Sequence, residues 1–424
     1  MSTAESTDPE VRVSDLRRRG LRGRLLVLGP AFVAAVAYVD PGNFATNFAA
    51  GARFGYLLLW VILAANVMAM LVQSLSAKLG VATGRNLPEL CRERMPRAAN
   101  VGMWAQAELV AIATDLAEVV GGAIALNLLF GIPLFTGGVV TGGIAFGLLA
   151  LQSRGHRPFE RAIVLLLAVI LVGLVSTLFR VDVEPAAALA GLTPQFDGVQ
   201  SLLLATGILG ATVMPHVIYL HSALTQRRLR TESPADREFL LRTGRADIVL
   251  GLGLAGLVNL SMLVIAAALF AGSGVPDTDT LAGIFSGLRW QLDDVAAVAF
   301  AIALLASGFA SSGVGTYAGQ VIMAGFLRRR IPLLLRRALT LAPALVVLGL
   351  GADPTEALVV SQVVLSFGIP FALAPLVWFT SRRSVMGPLA NHPVTTVLAT
   401  VVTGLVIALN AVLLWQTFRG GGVS

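Results

Sequence analysis

Two short runs hold residues whose types and spacing can do chemistry: Ala37-Tyr-Val-Asp-Pro-Gly-Asn-Phe44 and Ala211-Thr-Val-Met-Pro-His-Val-Ile218. In each, a proline follows a side chain able to bind a cation, the carboxylate of Asp40 or the thioether of Met214. Proline has no N–H for the carbonyl four residues back, and its ring clashes with it. Pro41 therefore frees the Ala37 carbonyl, and Pro215 frees that of Ala211. Gly42 relaxes the backbone after Pro41. Asn43 either caps the helix that follows or offers its amide oxygen. Asp40, Asn43, the Ala37 and Ala211 carbonyls and Met214 together make four hard oxygens and one soft sulfur. That set suits Mn2+ or Fe2+, with the polarisable Cd2+ and Co2+ also accepted; an all-oxygen cage would suit Mg2+ or Ca2+ better.

Each feature has a plainer explanation when taken alone. A Pro-Gly kink is common in membrane helices, and a buried methionine is usually packing. Asp40 is different, because an ionisable group at mid-membrane depth marks function. The two x-Pro pairs also recur 174 residues apart.

The elements that must hold these residues are membrane helices. The chain has 424 residues, 56% hydrophobic and 13% charged, against about 25% charged in a soluble domain. Apolar stretches long enough to span lie near 25–51, 54–80, 99–128, 134–152, 162–179, 199–225, 246–272, 292–327, 334–352, 355–380 and 393–416. They are too long and continuous for barrel strands. No cleavable signal is expected at the start. A cytoplasmic N-terminus places 27 of the 31 Lys and Arg on the inner side, leaving Arg53, Arg180, Arg289 and Arg419 outside. This asymmetry accounts for the pI of about 10.6 without nucleic acid. Thirty arginines against one lysine fit a GC-rich bacterial genome, hence a multi-pass protein of the inner membrane.

The runs at 40–41 and 214–215 each open a group of five stretches, and an odd group size inverts the second group relative to the first. Residues 1–23 are read as an inner tail, 24–198 as the first repeat, 199–381 as the second, 392–417 as an eleventh helix and 418–424 as an outer tail. An inverted five-plus-five bundle with its first and sixth helices interrupted is the signature of a secondary transporter.

A second polar set lies in the third stretch. Glu108, Asp115 and Glu118 are spaced 7 and 3 apart, within about 80° of one helical face. Such a stripe suits proton passage or a polar seam. Arg336 and Arg337 of the ninth stretch are its expected partners. His216 is a titratable group beside the second run, and His221 falls about 140° away around the helix. His156 and His392 are expected in loops. Gln362 and Asn259 read as site residues or as interhelical glue. Cys91, the single cysteine, excludes an intrachain disulfide and is expected to have no catalytic role. There is no HExxH, Walker A, GxSxG or Cys/His cluster, so no enzyme and no cofactor are expected.

At these residues the chain resembles the NRAMP family of proton-coupled divalent metal transporters. "DPGN" at 40–43 and "MPH" at 214–216 match the family's two motifs. The resemblance continues through "ARFGYLLLWVILAAN", "GRNLPEL", "ATDLAEVVGGAIAL" and "GTYAGQVIMAGFL", across the first ten helices. It implies an all-α, LeuT-like fold. It implies metal coordination by Asp40, Asn43, Met214, Ala37 and Ala211, with Gln362 joining in some conformations. It implies proton handling by Asp40, His216, Asp115 and Glu118, with Arg336 and Arg337 further along; His221, Glu108 and Asn259 stand as accessory positions. The related magnesium-transporting branch lacks the Asn and Met pattern kept here. Ala324 departs from an expected acidic residue, away from the site.

The expected function is import of Mn2+ and Fe2+ with protons by alternating access, with a divalent ion, protons and the bilayer as partners. The rival is a Na+- or H+-coupled amino-acid carrier on the same fold, with Ser307, Ser311 and Ser312 as Na+ donors. A membrane metalloenzyme would need clustered ligands and a positioned base, and a passive channel has no need of a closed midplane cage.

Overall fold

The computed structural model describes residues 13–153, 156–226, 233–328 and 332–418. Residues 1–12 of the expected inner tail, 419–424 of the outer tail, and Arg154, Arg227, Arg228, Arg230, Arg329 and Arg330 lie outside them.

Every element among the described residues is helical. Two short helices, α1 (Val13–Arg18) and α2 (Gly20–Val27), lead in. The first span is divided into α3 (Pro30–Ala37) and α4 (Pro41–Phe54). Next come α5 (Leu59–Thr83), the short α6 (Leu87–Arg94), α7 (Arg97–Phe130), α8 (Leu134–Ser153) and α9 (His156–Leu178). A link, α10 (Pro185–Ala190), precedes the second broken span, α11 (Gly198–Thr212) and α12 (Pro215–Thr225). Then follow α13 (Pro234–Phe270), α14 (Leu281–Gln291), α15 (Asp294–Leu327), α16 (Leu333–Gly349) and α17 (Pro354–Ser381). The short α18 (Arg383–Met386) and a final span, α19 (Pro393–Phe418), complete the chain. Among the described residues, eight helical segments are long and apolar enough to cross a membrane. The other expected stretches hold the divided first span, α8 and α16.

Three differences from the sequence pattern have physical causes. The apolar run from residue 25 is not one helix down to the Asp40 break: it bends by 40° between α2 and α3. Pro30 supplies no N–H to continue α2, and Gly29 takes the corner at φ 142, open to glycine. The seventh span starts at Pro234 rather than 246. Its first turns carry Arg237, Arg242 and Arg245, where hydropathy falls but helix propensity does not. A capping box starts it: the Asp236 N–H donates to Ser233 Oγ and the Ser233 N–H to Asp236 Oδ2, both at 3.2 Å. The sequence pattern also missed α14, started by Thr280 Oγ1 accepting from the Gly283 N–H at 3.0 Å.

Two devices lock the broken spans into the bundle. Phe44 and Phe48 of α4 pack on Phe300 of α15, the Phe48–Phe300 pair edge-on with centroids 5.1 Å apart. Glycines bring backbones close. A Cβ on Gly121 would stand 2.1 Å from Pro41 Cβ, and one on Gly210 would stand 1.9 Å from the Gln362 carbonyl oxygen. Backbone cannot yield as a flexible side chain does. Gly210→Ala should therefore lower the unfolding midpoint in detergent by the equivalent of about 1–3 kcal/mol. Gly102→Ala, with nothing within 4 Å of the added carbon, should leave the midpoint unchanged or raise it.

Candidate ion site between the two helix breaks

Pro41 sits at the first position of α4, where its missing N–H costs nothing. Asp40 is the N-cap, in extended conformation (φ −80, ψ 169). Its Oδ1 accepts from the Asn43 N–H at 2.8 Å, and the Asp40 N–H donates to Asn43 Oδ1 at 3.3 Å. The carbonyls on the broken side are treated unequally. Asn259 Nδ2 of α13 donates to the Tyr38 carbonyl at 2.8 Å, and Ser307 Oγ of α15 donates to that of Val39 at 2.5 Å. The Tyr38 and Val39 N–H groups turn back to Ala35 and Val36 at 3.1 Å each. The Ala37 carbonyl receives no bond from residue 41, because Pro41 has no N–H to give.

The second break is plainer. α11 ends at Thr212, Val213 donates to the Leu209 carbonyl at 2.8 Å, and Met214 heads α12 without a side-chain cap. Met214 is fully buried. The breaks meet at Asn43. One terminal atom of its amide lies 2.7 Å from Asp40 Oδ1 and 3.2 Å from the Ala211 carbonyl. If that atom is nitrogen, it donates to both. If it is oxygen, it accepts from the Asp40 N–H, and three oxygens face one another with no hydrogen among them. A cation resolves that second arrangement, whereas hydrogen bonds satisfy the first.

Gln362 of α17 closes the other side. Its Nε2 lies 3.4 Å from Asp40 Oδ2 and 3.2 Å from Ser361 Oγ, while its buried Oε1 has no hydrogen-bond partner. A Cβ on Gly42 would stand 1.9 Å from that Nε2, so glycine is what lets the amide reach Asp40. The structure thus brings Asp40, Asn43, Ala211 and Gln362 together, with Met214 at the same break as Ala211 and Ala37 at the end of α3. Among the described residues, no three His, Cys, Asp or Glu gather into a metal cluster. Any cation here would rely on one carboxylate and neutral donors.

The acidic stripe of α7 meets α16. Arg336 binds Glu108 at 2.9 and 3.2 Å and also donates to the Gly319 carbonyl. Arg337 donates to Asp115 Oδ1 at 2.6 Å and to Thr316 Oγ1 at 2.7 Å, and also binds Ser312 Oγ. Glu118 stands 3.8 Å from Arg337, and neither of its buried oxygens has a hydrogen-bond partner. Two buried acids therefore share one arginine. Gly121, one turn beyond Glu118, seats against Pro41, so this network reaches the first break. His216 sits 3.3 Å from Thr114 Oγ1 through Nδ1, and its Nε2 has no partner.

Several residues were missed or underread. Asn259 and Ser307 cap the first break. Ser311 donates to the Ser307 carbonyl at 2.9 Å and Ser312 is held by Arg337, so the three serines are engaged as protein hydrogen bonds. His221 Nδ1 pairs with Gln73 Oε1 at 2.8 Å, and Gln73 Nε2 with the Tyr38 hydroxyl. A glutamine inside the apolar "LVQSLS" was the available signal. Cys91 is buried in α6, outside the spans, and burial pushes its thiol up to about 12.

Two groups of helices that each open on a broken span, with cation-type donors gathered where the breaks face each other, define a secondary transporter of the LeuT fold. The fold is shared with Mhp1, a nucleobase-cation-symport-1 family transporter (TM-score 0.60, 16% identity, 94% of each chain). It is also shared with MhsT solved with L-phenylalanine (TM-score 0.56, 14% identity, 92% of this chain and 98% of that one). The chain belongs to the Nramp family: the model for natural resistance-associated macrophage protein-like sequences matches residues 31–416. It is 53% identical over 402 residues to the divalent metal cation transporter MntH of Deinococcus radiodurans, covering 95% of this chain and 92% of that protein. MntH of Bacillus subtilis is 50% identical over 408 residues, covering 96% and 95%. A manganese transporter from Eremococcus coleocola superposes with a TM-score of 0.84 at 32% identity, covering 95% and 89%. The family is made up of transporters.

Asn259→Leu should leave the Tyr38 carbonyl and the Asn47 amide, which donates to Asn259 Oδ1 at 2.8 Å, without partners. A loss of about 1–3 kcal/mol per group is expected in unfolding measured in detergent. At pH 8 the Cys91 thiol stays neutral and shielded, so maleimide should label the native protein far more slowly than the denatured one.

Proposed function

We propose that this chain imports divalent transition metal ions, Mn2+ and Fe2+ with Cd2+ and Co2+ also accepted, together with protons by alternating access. It works across the inner membrane of a bacterium, N-terminus inside, and is not an enzyme. The observation that carries the reading is the meeting of Asp40 Oδ1, an Asn43 amide atom and the Ala211 carbonyl within 2.7 and 3.2 Å between two helix breaks. The relatives' names, divalent metal cation transporter and manganese transporter, support the same substrate class.

Asp40 supplies the formal charge, while Asn43, the Ala37 and Ala211 carbonyls, Met214 and Gln362 replace water around the ion. The Met214 sulfur favours polarisable ions over Ca2+ and Mg2+. One carboxylate against a 2+ ion leaves the site positive, and an inside-negative potential then drives entry by about 2.3 kcal/mol per charge per 100 mV. A proton on Asp40 would be displaced as metal binds. Asp115 and Glu118 share one arginine, which leaves an acidic position to receive that proton, with His216 beside the route and Arg336 and Arg337 further on. The amino-acid carrier is not favoured, because the relatives of this chain are named divalent metal cation transporters and a manganese transporter.

Proteoliposome uptake of Mn2+, Fe2+, Cd2+ and Mg2+, followed with intravesicular pH, tests the proposal. Accumulation of a labelled amino acid without Mn2+ would overturn it. Asp40→Asn should abolish metal uptake, and retained uptake would remove the site assignment. Met214→Ala should reduce Cd2+ uptake about tenfold, equal to about 1.4 kcal/mol, while Mn2+ falls less and Ca2+ begins to enter. Unchanged selectivity would remove the sulfur from the cage.

A further inference from the structure

α3 is a rod of eight residues with a corner at each end: Leu28–Gly29 on one side and Tyr38–Asp40 on the other. It is tied to α13 at both ends. At its C-terminus Asn259 donates to the Tyr38 carbonyl at 2.8 Å. At its N-terminus the carboxylate of Asp247 accepts from the Gly29 N–H at 3.2 and 3.3 Å and from the Ala31 N–H at 2.9 Å. Pro30 between them has no N–H, so this one carboxylate serves donors on both sides of it. It also lies where the positive end of a helix favours an anion. Asp247 is 3% exposed. Between the ties the backbones nearly touch, since a Cβ on Gly251 would stand 3.1 Å from the Ala31 carbonyl oxygen.

A cavity of about 380 Å3 lies beside the N-terminal tie, lined by Val27, Pro30, Lys78, His221, Arg245 and Asp247 among others. His221 in its lining is bonded to Gln73, which is bonded in turn to the Tyr38 hydroxyl. Tyr38 belongs to the break that carries Asp40, and Asp40 is wholly buried. The rod α3 and this three-residue relay stand between the cavity and Asp40. An ion leaving by the cavity requires the rod to move. Its corners permit a swing; Ala31, Val33, Ala34 and Val36 pack it into the core, and at its N-terminus Asp247 is the side chain that bonds its backbone across to α13.

We propose that Asp247 is a positioning residue that clamps the N-terminus of α3 to α13 and keeps the Asp40 site closed toward this cavity, and that its bonds to Gly29 and Ala31 part when the ion leaves. The inference rests on the transport reading. It is tested by a readout that needs no metal. In a Cys91→Ser background, a reporter is placed by Ala34→Cys, a wholly buried position on α3. The rate of its modification by a small neutral thiol reagent is measured in the full-length protein in liposomes. Asp247→Ala should speed modification about tenfold or more, as losing charge-assisted bonds implies. Asp247→Asn should fall between, and Asp247→Glu should stay within about twofold of the parent. A second reporter, Ala50→Cys on α4, also wholly buried, should remain protected in all of them. Unchanged modification at residue 34 overturns the proposal. So does equal acceleration by the Glu variant, or acceleration at both reporters, which marks general loosening. If the reporters behave as expected while liposomes take up no Mn2+, the transported substrate is wrong and the clamp stands.

Discussion

Inside a bilayer a backbone carbonyl released from a helix has no water to turn to, and each one left unsatisfied costs several kcal/mol. Both broken spans are organised around that constraint. At the first break the protein decides which carbonyls remain available. Those of Tyr38 and Val39 are covered from two different helices, by Asn259 and Ser307. The Asp40–Asn43 box covers the start of α4. The Ala37 carbonyl has a proline four residues on, with no N–H to offer it. A break therefore does not need its ion to be tolerable, because protein side chains already carry most of the cost.

The same constraint explains the glycines. A site built from neutral donors must bring several chains within a few ångström of one carboxylate. Gly42 admits the Gln362 amide, Gly121 admits Pro41, and Gly210 admits the backbone at Gln362. Each close approach fixes one face of the site by steric fit rather than by charge. The other buried charges gather where α7 meets α16. There Asp115 and Glu118 share Arg337, and Glu108 has Arg336 to itself. A buried ion pair is a weak source of stability. An unequal count of acids and bases next to the site makes more sense as a store for a proton than as reinforcement.

Much of this was legible in the sequence, because the strongest signals were local. A proline in an apolar run announces a freed carbonyl, and two such runs 174 residues apart announce a repeat. The stripe of acids on α7 followed from helical spacing, and its arginine partners were the basic pair at the start of the ninth stretch. What stayed hidden depends on contacts between distant segments. Asn259 meets Tyr38 across 221 residues, Ser307 meets Val39 across 268, and Asp247 meets Gly29 across 218. In sequence Asp247 is one more charge near the start of a span, and nothing local says that it points at a helix terminus. The bend at Leu28–Gly29 was missed for a related reason. Hydropathy runs straight through it, and only the Gly-Pro pair marks it.

These distant contacts share a pattern that bears on how such a site opens. Asn47, Asn259 and Asp247 place α4 and both ends of α3 on the single helix α13, while Phe44 and Phe48 hold α4 to α15 by aromatic packing. The two halves of the first span are therefore fastened differently. α4 is gripped by large apolar rings that have no alternative partner to exchange for. α3 packs through small side chains, Ala31, Val33, Ala34 and Val36, and its ends are held by hydrogen bonds, which water entering the neighbouring cavity can replace one for one. Exchange of protein for water partners is nearly balanced in free energy, whereas exposing packed rings is not. The half that moves should be α3, and the half that keeps Asn43 in place should be α4.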